Sequence, residues 1–321
     1  MGQTTRLTSK QTAAWLSERD GFLILTHRRP DGDTLGSAAG LCVALRGIGK
    51  TAYLLEYPDT TERYHEYVRA YIAPADFQPQ TVISVDTADT KILQTNAGAY
   101  LDRVDLAIDH HPSYTGYAAY TCLDADKAAC GEVVYEVVLA LGGRTVSAEV
   151  ATPLYVALTT DTGCFQYANT TADTLYVASE LVRVGAEHWV VNKALFRTKS
   201  RARMAFDGAF LAGLRYHYDD RVAVAVVTCA MMVETGVTED DLDDIAAIPG
   251  QVEGILVGIV VKELPMGGCK VSVRTAPGIS ANQICRQFGG GGHAMAAGCE
   301  VGKPPEETVT ALLLACEEQL V

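Results

Sequence analysis

Seven side chains in four short stretches of this chain carry metal-ligand and proton-transfer chemistry. His27, Asp31 and Asp33 stand in the pattern His-x-x-x-Asp-x-Asp, in a segment that also holds Pro30 and Gly32. A tight turn lets side chains four and six positions apart converge on one point, whereas the two-residue period of a strand would spread them. Asp86 follows the apolar run Val82-Ile83-Ser84-Val85, and Asp109-His110-His111 closes the run that begins at Val104. Asp161 follows a long apolar segment ending at Leu158. Carboxylates and imidazoles are hard-to-intermediate ligands, so they favour Mn²⁺ or Mg²⁺, with Co²⁺ as a surrogate. His27, Asp31, Asp33, Asp86, His110 and Asp161 together exceed what one ion needs once water and substrate are counted. Two ions bridged by one carboxylate use them well; such pairs lie about 3.5–4 Å apart and activate a hydroxide for in-line attack on phosphorus. The expected chemistry is metal-dependent hydrolysis.

Taken singly, each stretch has an ordinary reading. His27 before a Pro-Asp-Gly turn is a turn residue, and Asp31 and Asp33 are turn and helix-capping residues. Asp86-Thr87-Ala88-Asp89 alone is a capping turn. It is their joint appearance, each at the end of an apolar element, that points to one site.

The elements that must position these groups read as an α/β chain. A leading helix over 9–19 precedes a strand, Gly21 to Thr26, and a helix over 35–48 follows with Leu35, Ala39, Val43 and Ala44 on one face. Strands are expected near 51–56, 81–86 and 104–109, with helices Glu132 to Leu141 and Ser147 to Thr159 beyond them. Continuous apolar strands alternating with helices imply a parallel, doubly wound sheet covered on both sides, with ligands at its carboxyl edge. Residues 171–212 read as mostly helical and carry the basic run Arg197, Lys199, Arg201 and Arg203, a solvated helix face in its plainest reading. From Arg221 the pattern changes to strands at Val222 to Thr228, Ile255 to Lys262 and Lys270 to Arg274, then a helix, Ala281 to Phe288. This predicts a metal-binding domain over 1–190, a helical linker over 191–217, and a smaller α+β domain over 218–321.

Composition narrows the partners. With 48% hydrophobic and 20% charged residues, the chain has ample core and no run approaching the ~20 apolar residues of a membrane span. The start of the chain lacks the apolar core of a secretion signal, so the cytoplasm is the expected compartment. Nine cysteines without a Cys-x-x-Cys pair read mostly as small core residues kept reduced. A net charge of −13 disfavours a protein that tracks long nucleic acid, which needs a broad basic face. A short anionic substrate is compatible, since a few local basic groups and metal ions hold it.

The stretches His27 to Ser37, Val85-Asp86-Thr87, Asp109-His110-His111-Pro112, Thr160 to Phe165 and Gly289-Gly290-Gly291-Gly292-His293 resemble the motifs of the DHH phosphoesterase superfamily, in the family's order. More narrowly, the chain resembles its members with a DHH-associated C-terminal domain. The size is similar to the nanoRNase type, which also dephosphorylates 3′-phosphoadenosine 5′-phosphate. The resemblance implies that His27 and Asp31 bind one ion, that Asp33, His110 and Asp161 bind the other, and that Asp86 bridges both. It implies a catalytic role for His111 beside the metals, in contact with the scissile phosphate. One departure is Ala128-Ala129-Cys130-Gly131, where relatives often carry Ser or Thr. Asp89 and Asp105 have no family role and read as solvent-facing.

Four consecutive glycines permit backbone geometries closed to other residues and bring amides close to an anion. The flanking Ile284, Phe288, Met295 and Ala297 argue that this stretch is ordered. By resemblance, Gly290, Gly291, Gly292 and His293 bind a phosphate or sugar, Arg274 grips a substrate phosphate, and Asn282 assists. An active site in a cleft between the two domains is the implied architecture, and it restricts substrate length.

The function expected is therefore a Mn²⁺-dependent phosphoesterase acting on RNA oligomers of two to five nucleotides, and on the nucleotide bisphosphate. The nearest alternative is a cyclic- or linear-dinucleotide phosphodiesterase in second-messenger turnover. A catalytically silent nucleotide-binding regulator is the alternative of another class; loss of a metal ligand would mark it, and all six are intact. A family II pyrophosphatase would carry a basic Ser-Arg-Lys-Lys-Gln signature, which the sequence lacks, and a RecJ-type exonuclease on long DNA is disfavoured by size and charge. A homodimer is expected from the family alone.

Overall fold

The computed structural model describes residues 4–320 apart from 59, 144 and 243, so the extreme ends of the expected domains lie outside the described residues. The chain divides into two compact units, residues 1–198 and 199–321. The stretch expected as a linker is shared between them, 191–198 falling in the first unit and 199–217 in the second.

The first unit runs β1 (Thr5–Arg6), α1 (Ser9–Ser17), β2 (Phe22–Leu25), α2 (Gly32–Gly47), β3 (Ala52–Leu54), α3 (Glu62–Val68), β4 (Thr81–Val85), β5 (Leu106–Asp109), β6 (Tyr120–Leu123), α4 (Cys130–Gly142), α5 (Ala148–Asp161), α6 (Ala172–Arg183) and α7 (His188–Asn192). Its sheet has the order β1-β6-β5-β4-β2-β3, and every pairing is parallel. Successive residues of β2 serve opposite faces, as strand geometry requires. Phe22 and Ile24 enter the core packed by α2, α4 and α5, while Leu23 and Leu25 join Val82, Leu93, Ala97 and Ala107 on the other side. That second face is covered by short 3₁₀ turns, Thr90–Ile92 and Thr95–Tyr100, rather than by long helices.

Helix α2 departs most usefully from expectation. It begins at Gly32 instead of 35, and residues 32 to 45 are all buried, not one face alone. The cause is a glycine ridge, Gly32-x₃-Gly36-x₃-Gly40, pressed against α5. A Cβ on Gly36 would stand 2.4 Å from the Pro153 carbonyl oxygen, and one on Gly40 2.6 Å from Leu154 Cδ2. Larger residues would push the helices apart. The early start places Asp33 in the first helical turn, and the ridge brings it beside the helix that ends at Asp161.

The second unit runs α8 (Arg201–Ala212), β7 (Arg215–His217), β8 (Val222–Val227), α9 (Cys229–Thr235), β9 (Val257–Glu263), β10 (Cys269–Thr275), α10 (Ala281–Arg286), β11 (Gly291–Gly292), β12 (Ala296–Val301) and α11 (Pro305–Glu317). Its sheet order is β11-β12-β10-β9-β8-β7; only the β8–β9 pair is parallel. Helices α10 and α11 pack their apolar residues on one face, and α8 supplies Phe206 and Phe210 to a second core. Among the described residues no helix is long and apolar enough to cross a membrane. The cysteines are free, and seven of the nine are buried.

Candidate metal centre

Each functional side chain of the first unit is delivered by a strand or helix end. Asp31 caps α2, accepting the Asp33 and Thr34 N–H groups at 3.1 Å each, so the ordinary capping reading is correct and compatible with a second role. The same oxygen, Oδ1, lies 3.6 Å from His27 Nε2. Asp33, in the first turn of α2 and buried, is gripped by the opening turn of another helix. Its Oδ2 accepts the Cys130 N–H at 2.7 Å, and its Oδ1 accepts the Gly131 N–H and the Ser37 hydroxyl, both at 3.0 Å. The start of α4 thus presents its otherwise unpaired amides and positive dipole end to Asp33, while the first amides of α2 go to Asp31.

Asp86 follows β4 directly, with φ at +53°, a conformation that Asp tolerates better than most side chains. The Asp86 N–H donates to the Ile108 carbonyl at 2.9 Å, tying this turn to β5. Its carboxylate is buried, and its two oxygens face different neighbours. Oδ2 is 3.7 Å from His27 Nε2, while Oδ1 is 3.4 Å from His110 Nε2 and 3.5 Å from His111 Nδ1. Oδ1 makes no aligned hydrogen bond. A buried carboxylate oxygen without a donor calls for an explanation, and a role as a cation ligand is one.

His110 is the hub of the far side. Its Nδ1–H donates to the Lys127 carbonyl at 3.1 Å, which turns Nε2 toward Asp86, toward Asp33 Oδ2 at 3.7 Å and toward Asp161 Oδ2 at 3.7 Å. His111 donates Nδ1–H to Asp109 Oδ1 at 2.8 Å. Ligand atoms of three groups lie within 4.8 Å of one another: His27, Asp31 and Asp86; Asp33, His110 and Asp161; and Asp86, His110 and His111.

The electrostatics fit a cation. Burial and the neighbouring Asp86 and Asp161 charges push Asp33 well above the usual carboxylate range. Burial raises Asp86 as well, against the opposing pull of His110. Burial, opposed by His110 and reinforced by Asp86, lifts Asp161 to about 6. Burial would lower His110, but the bond to Asp86 and the charge of Asp33 outweigh it and hold it up at about 10. Carboxyls pushed up by burial and by one another, and an imidazole pushed up by them, mark a concentration of negative charge that a cation would relieve. Cys130 offers no soft ligand: burial pushes its thiol far up, and its Sγ–H points at the Ile108 carbonyl.

The DHH family model, N-terminal domain, matches residues 21–158, and the DHHA1 domain model matches residues 219–321. The bifunctional oligoribonuclease and PAP phosphatase NrnA of Thermus thermophilus is 32% identical over 301 residues, which cover 92% of this chain and 89% of the relative. This chain belongs to the DHH family. The protein of the same name from Bacillus subtilis is 24% identical, covering 89% of this chain and 91% of that one. An exopolyphosphatase-related protein from Bacteroides fragilis shares the fold, with a TM-score of 0.85, 22% identity, and coverage of 97% and 95%.

In the second, DHHA1 unit the glycine run is ordered. Gly291 and Gly292 form β11 and pair with Gly298 and Ala297 of β12, and the His293 N–H donates to the Ala296 carbonyl at 2.8 Å. Gly290 has no room for a side chain, because a Cβ there would stand 2.3 Å from the Gly298 oxygen. A groove of about 530 Å³ is lined by Arg274, Gly291 and His293, with Lys270 and Ser272 beside them. Gly290, Gly292 and Asn282 are absent from that lining, although Asn282 Oδ1 is buried without a partner near Gly291.

Three expectations need correction. Arg203 is buried and ion-paired with Asp207 and Asp244 at 2.6 Å each, and Lys199 meets Asp207 at 2.7 Å. Arg203 thus belongs to a structural network and not to a solvated face, and Lys199 joins that network from the exposed side. Asp105 is half-buried and accepts the Val82 N–H at 2.8 Å, joining β4 to the start of β5. Asp89, also half-buried, caps a 3₁₀ turn through the Lys91 N–H at 2.9 Å. The sequence reading also left Asp109 without a role. Fully buried, it accepts the N–H groups of His110 and His111 and the His111 ring at 2.7–3.0 Å. Its position as the last residue of an apolar strand was the available signal.

Proposed function

We propose that this protein is a metal-dependent phosphoesterase that hydrolyses short RNA oligonucleotides, of two to five units, and 3′-phosphoadenosine 5′-phosphate. The observation that carries this reading is the division of Asp86, one oxygen toward His27 and the other toward His110, joined to the family membership. His27, Asp31 and Asp86 would hold one ion, and Asp33, Asp86, His110 and Asp161 the other. The oxygen and imidazole donors, with no thiolate among them, favour Mn²⁺ over Mg²⁺ or Co²⁺ as the working metal. When bound, the ions supply Lewis-acid stabilisation of charge on a phosphoryl group and promote ionisation of water near neutral pH.

The chain's own groups do the rest. Asp109 fixes the His111 ring through Nδ1, which presents Nε2 to a phosphate oxygen or a departing group. Arg274 would pair with a second phosphate, and His293 and the β11 amides would contact phosphate or sugar. Asn282 assists from behind the glycine run. The acidic surface is consistent with substrates too short to need a basic track.

The test is hydrolysis with Mn²⁺ on four substrates side by side: a linear diribonucleotide, 3′-phosphoadenosine 5′-phosphate, a cyclic dinucleotide and a long RNA. The expected pattern is rapid turnover of the first two and little of the others. Preference for the cyclic substrate would move the protein to signalling-nucleotide turnover, and no turnover of any would make it a nucleotide-binding regulator.

A further inference from the structure

The five-residue segment Lys127 to Gly131 bonds two members of one ligand group, His110 and Asp33, directly and is tied to the third, Asp161, through Asn169. The Lys127 carbonyl fixes His110 through Nδ1 at 3.1 Å. The amides of Cys130 and Gly131 hold both oxygens of Asp33 at 2.7 and 3.0 Å. Asn169 Nδ2 donates to the Ala128 carbonyl and to the backbone carbonyl of Asp161, at 3.1 Å each. Gly131 also lies flat on the helix that ends at Asp161; a Cβ there would be 2.6 Å from Ala157 Cβ. His27 and Asp31 have no bond to this segment among the described residues.

The segment is itself anchored from below. Glu132, in the first turn of α4, is completely buried. Its Oε1 accepts the Ala128 N–H at 3.1 Å and the hydroxyl of Thr174, also buried, at 2.8 Å. A carboxylate taken out of water at such cost is retained only where its bonds do something that an apolar residue could not. Here they fix the Lys127–Ala128 peptide, whose carbonyl holds His110 and which leads into the two amides that hold Asp33.

We infer that Glu132 and Asn169 are positioning residues for a single metal subsite, the one formed by Asp33, His110 and Asp161, and leave the His27–Asp31 subsite unaffected. This inference rests on the two-ion reading proposed above. It makes the two subsites separable by residues that touch no metal. It also gives the Ala128-Ala129-Cys130 departure a consequence: with no hydroxyl side chains in the segment, its share of the grip on Asp33 is made by backbone amides and follows the path of the segment, the Ser37 hydroxyl supplying the rest.

The experiment is titration of the metal-stripped protein with Mn²⁺ alone, followed by calorimetry and by the electron-spin signal of coupled ions. The unaltered protein should bind two equivalents. Asn169→Asp sets an oxygen against two carbonyls on an exposed turn, where the core is not at risk. It should leave one equivalent at unchanged affinity and weaken the other by roughly 10–100-fold, the usual range for a lost outer-shell partner, with loss of the coupled signal. Glu132→Ala should do the same, and Glu132→Gln, whose amide oxygen still accepts both bonds, should restore two equivalents. Adding Asn169→Asp to His27→Ala should abolish tight binding, whereas adding it to Asp161→Ala should cost little more. Equal weakening of both equivalents, or of neither, overturns the inference. Fewer than two equivalents in the unaltered protein overturns the two-ion reading instead.

Discussion

In the candidate metal centre, Asp33 alone accepts three hydrogen bonds at 3.0 Å or less, and Asp109 accepts three more between 2.7 and 3.0 Å. In the groove of the second unit, Arg274 bonds only its neighbour's carbonyl among the described residues, at 3.1 Å, and His293 is exposed. The first region is over-determined, as the reacting groups of the proposed hydrolase would need to be, since small displacements there would be costly in rate. In the second, the backbone is fixed and the side chains are free. A glycine hairpin sets the platform while Arg274 and His293 stay adaptable, which suits recognition of related phosphates. The difference predicts that the first region fails sharply when altered and the second fails by degrees.

The sharpest break is Asp86→Asn. Asn keeps the shape and tolerates the left-handed φ of +53°, so the fold survives. On the proposed two-ion reading, removing the charge takes away a bridging ligand worth several kcal/mol in the transition state, on the order of 10³-fold in kcat. Turnover within tenfold of the parent would remove Asp86 from its bridging role. A graded loss is expected from His293→Ala. Loss of one bond to a charged group is worth about 2 kcal/mol, roughly thirtyfold in KM for a diribonucleotide, with kcat nearly unchanged. A simple aryl phosphoester should show much less effect, and equal losses on both substrates would place His293 in the chemistry.

Gly290→Ala sharpens the contrast between frame and side chain. The new methyl meets the Gly298 oxygen at 2.3 Å, which forces β11 away from β12 at a cost of about 1–3 kcal/mol. Nucleotide KM should rise several-fold while Mn²⁺ stoichiometry in the first unit stays constant. A changed stoichiometry would mean that the two regions are not independent.

That the candidate ligand side chains would meet was legible in the sequence because each lies near the end of an apolar element, Asp86 and His110 after strands of the parallel sheet and Asp31, Asp33 and Asp161 at helix ends. The supports were not legible, and sequence distance is the reason. Asp33 and Cys130 meet across 97 positions, and Glu132 meets Thr174 across 42. No local pattern announces either contact. Glu132 looks like an ordinary acidic residue in a first helical turn, and its complete burial depends on where α6 lies. The same blindness produced the misreading of Arg203, whose partner Asp244 is 41 positions away. Short strands were missed for a different cause. At two to four residues, β1, β6, β7 and β11 are too brief to show a period, and they are held by neighbours rather than by propensity.

The mildest test reads the first region without any mutation, through the melting temperature of the metal-stripped protein against pH. Asp161 titrates at about 6 in the folded chain against an ordinary 3.8, and His110 at about 10 against 6.5. Both folded values are raised, so the folded state binds more protons than the unfolded one. Stability from His110 is fully present below 6.5 and drains away as the pH climbs toward 10, and the Asp161 carboxyl adds a loss between 3.8 and 6. The stripped protein should therefore melt at progressively lower temperature as pH rises. Added Mn²⁺ replaces those protons, so the melting gain that it produces should grow with pH over the same span. His110→Gln should flatten the upper part of the slope and spare the lower. A stripped protein that melts at the same temperature from acid to alkali would mean that these groups do not share one field. The crowding of carboxylates at 3.4–3.7 Å from His110 would then not be what makes the site attract a cation.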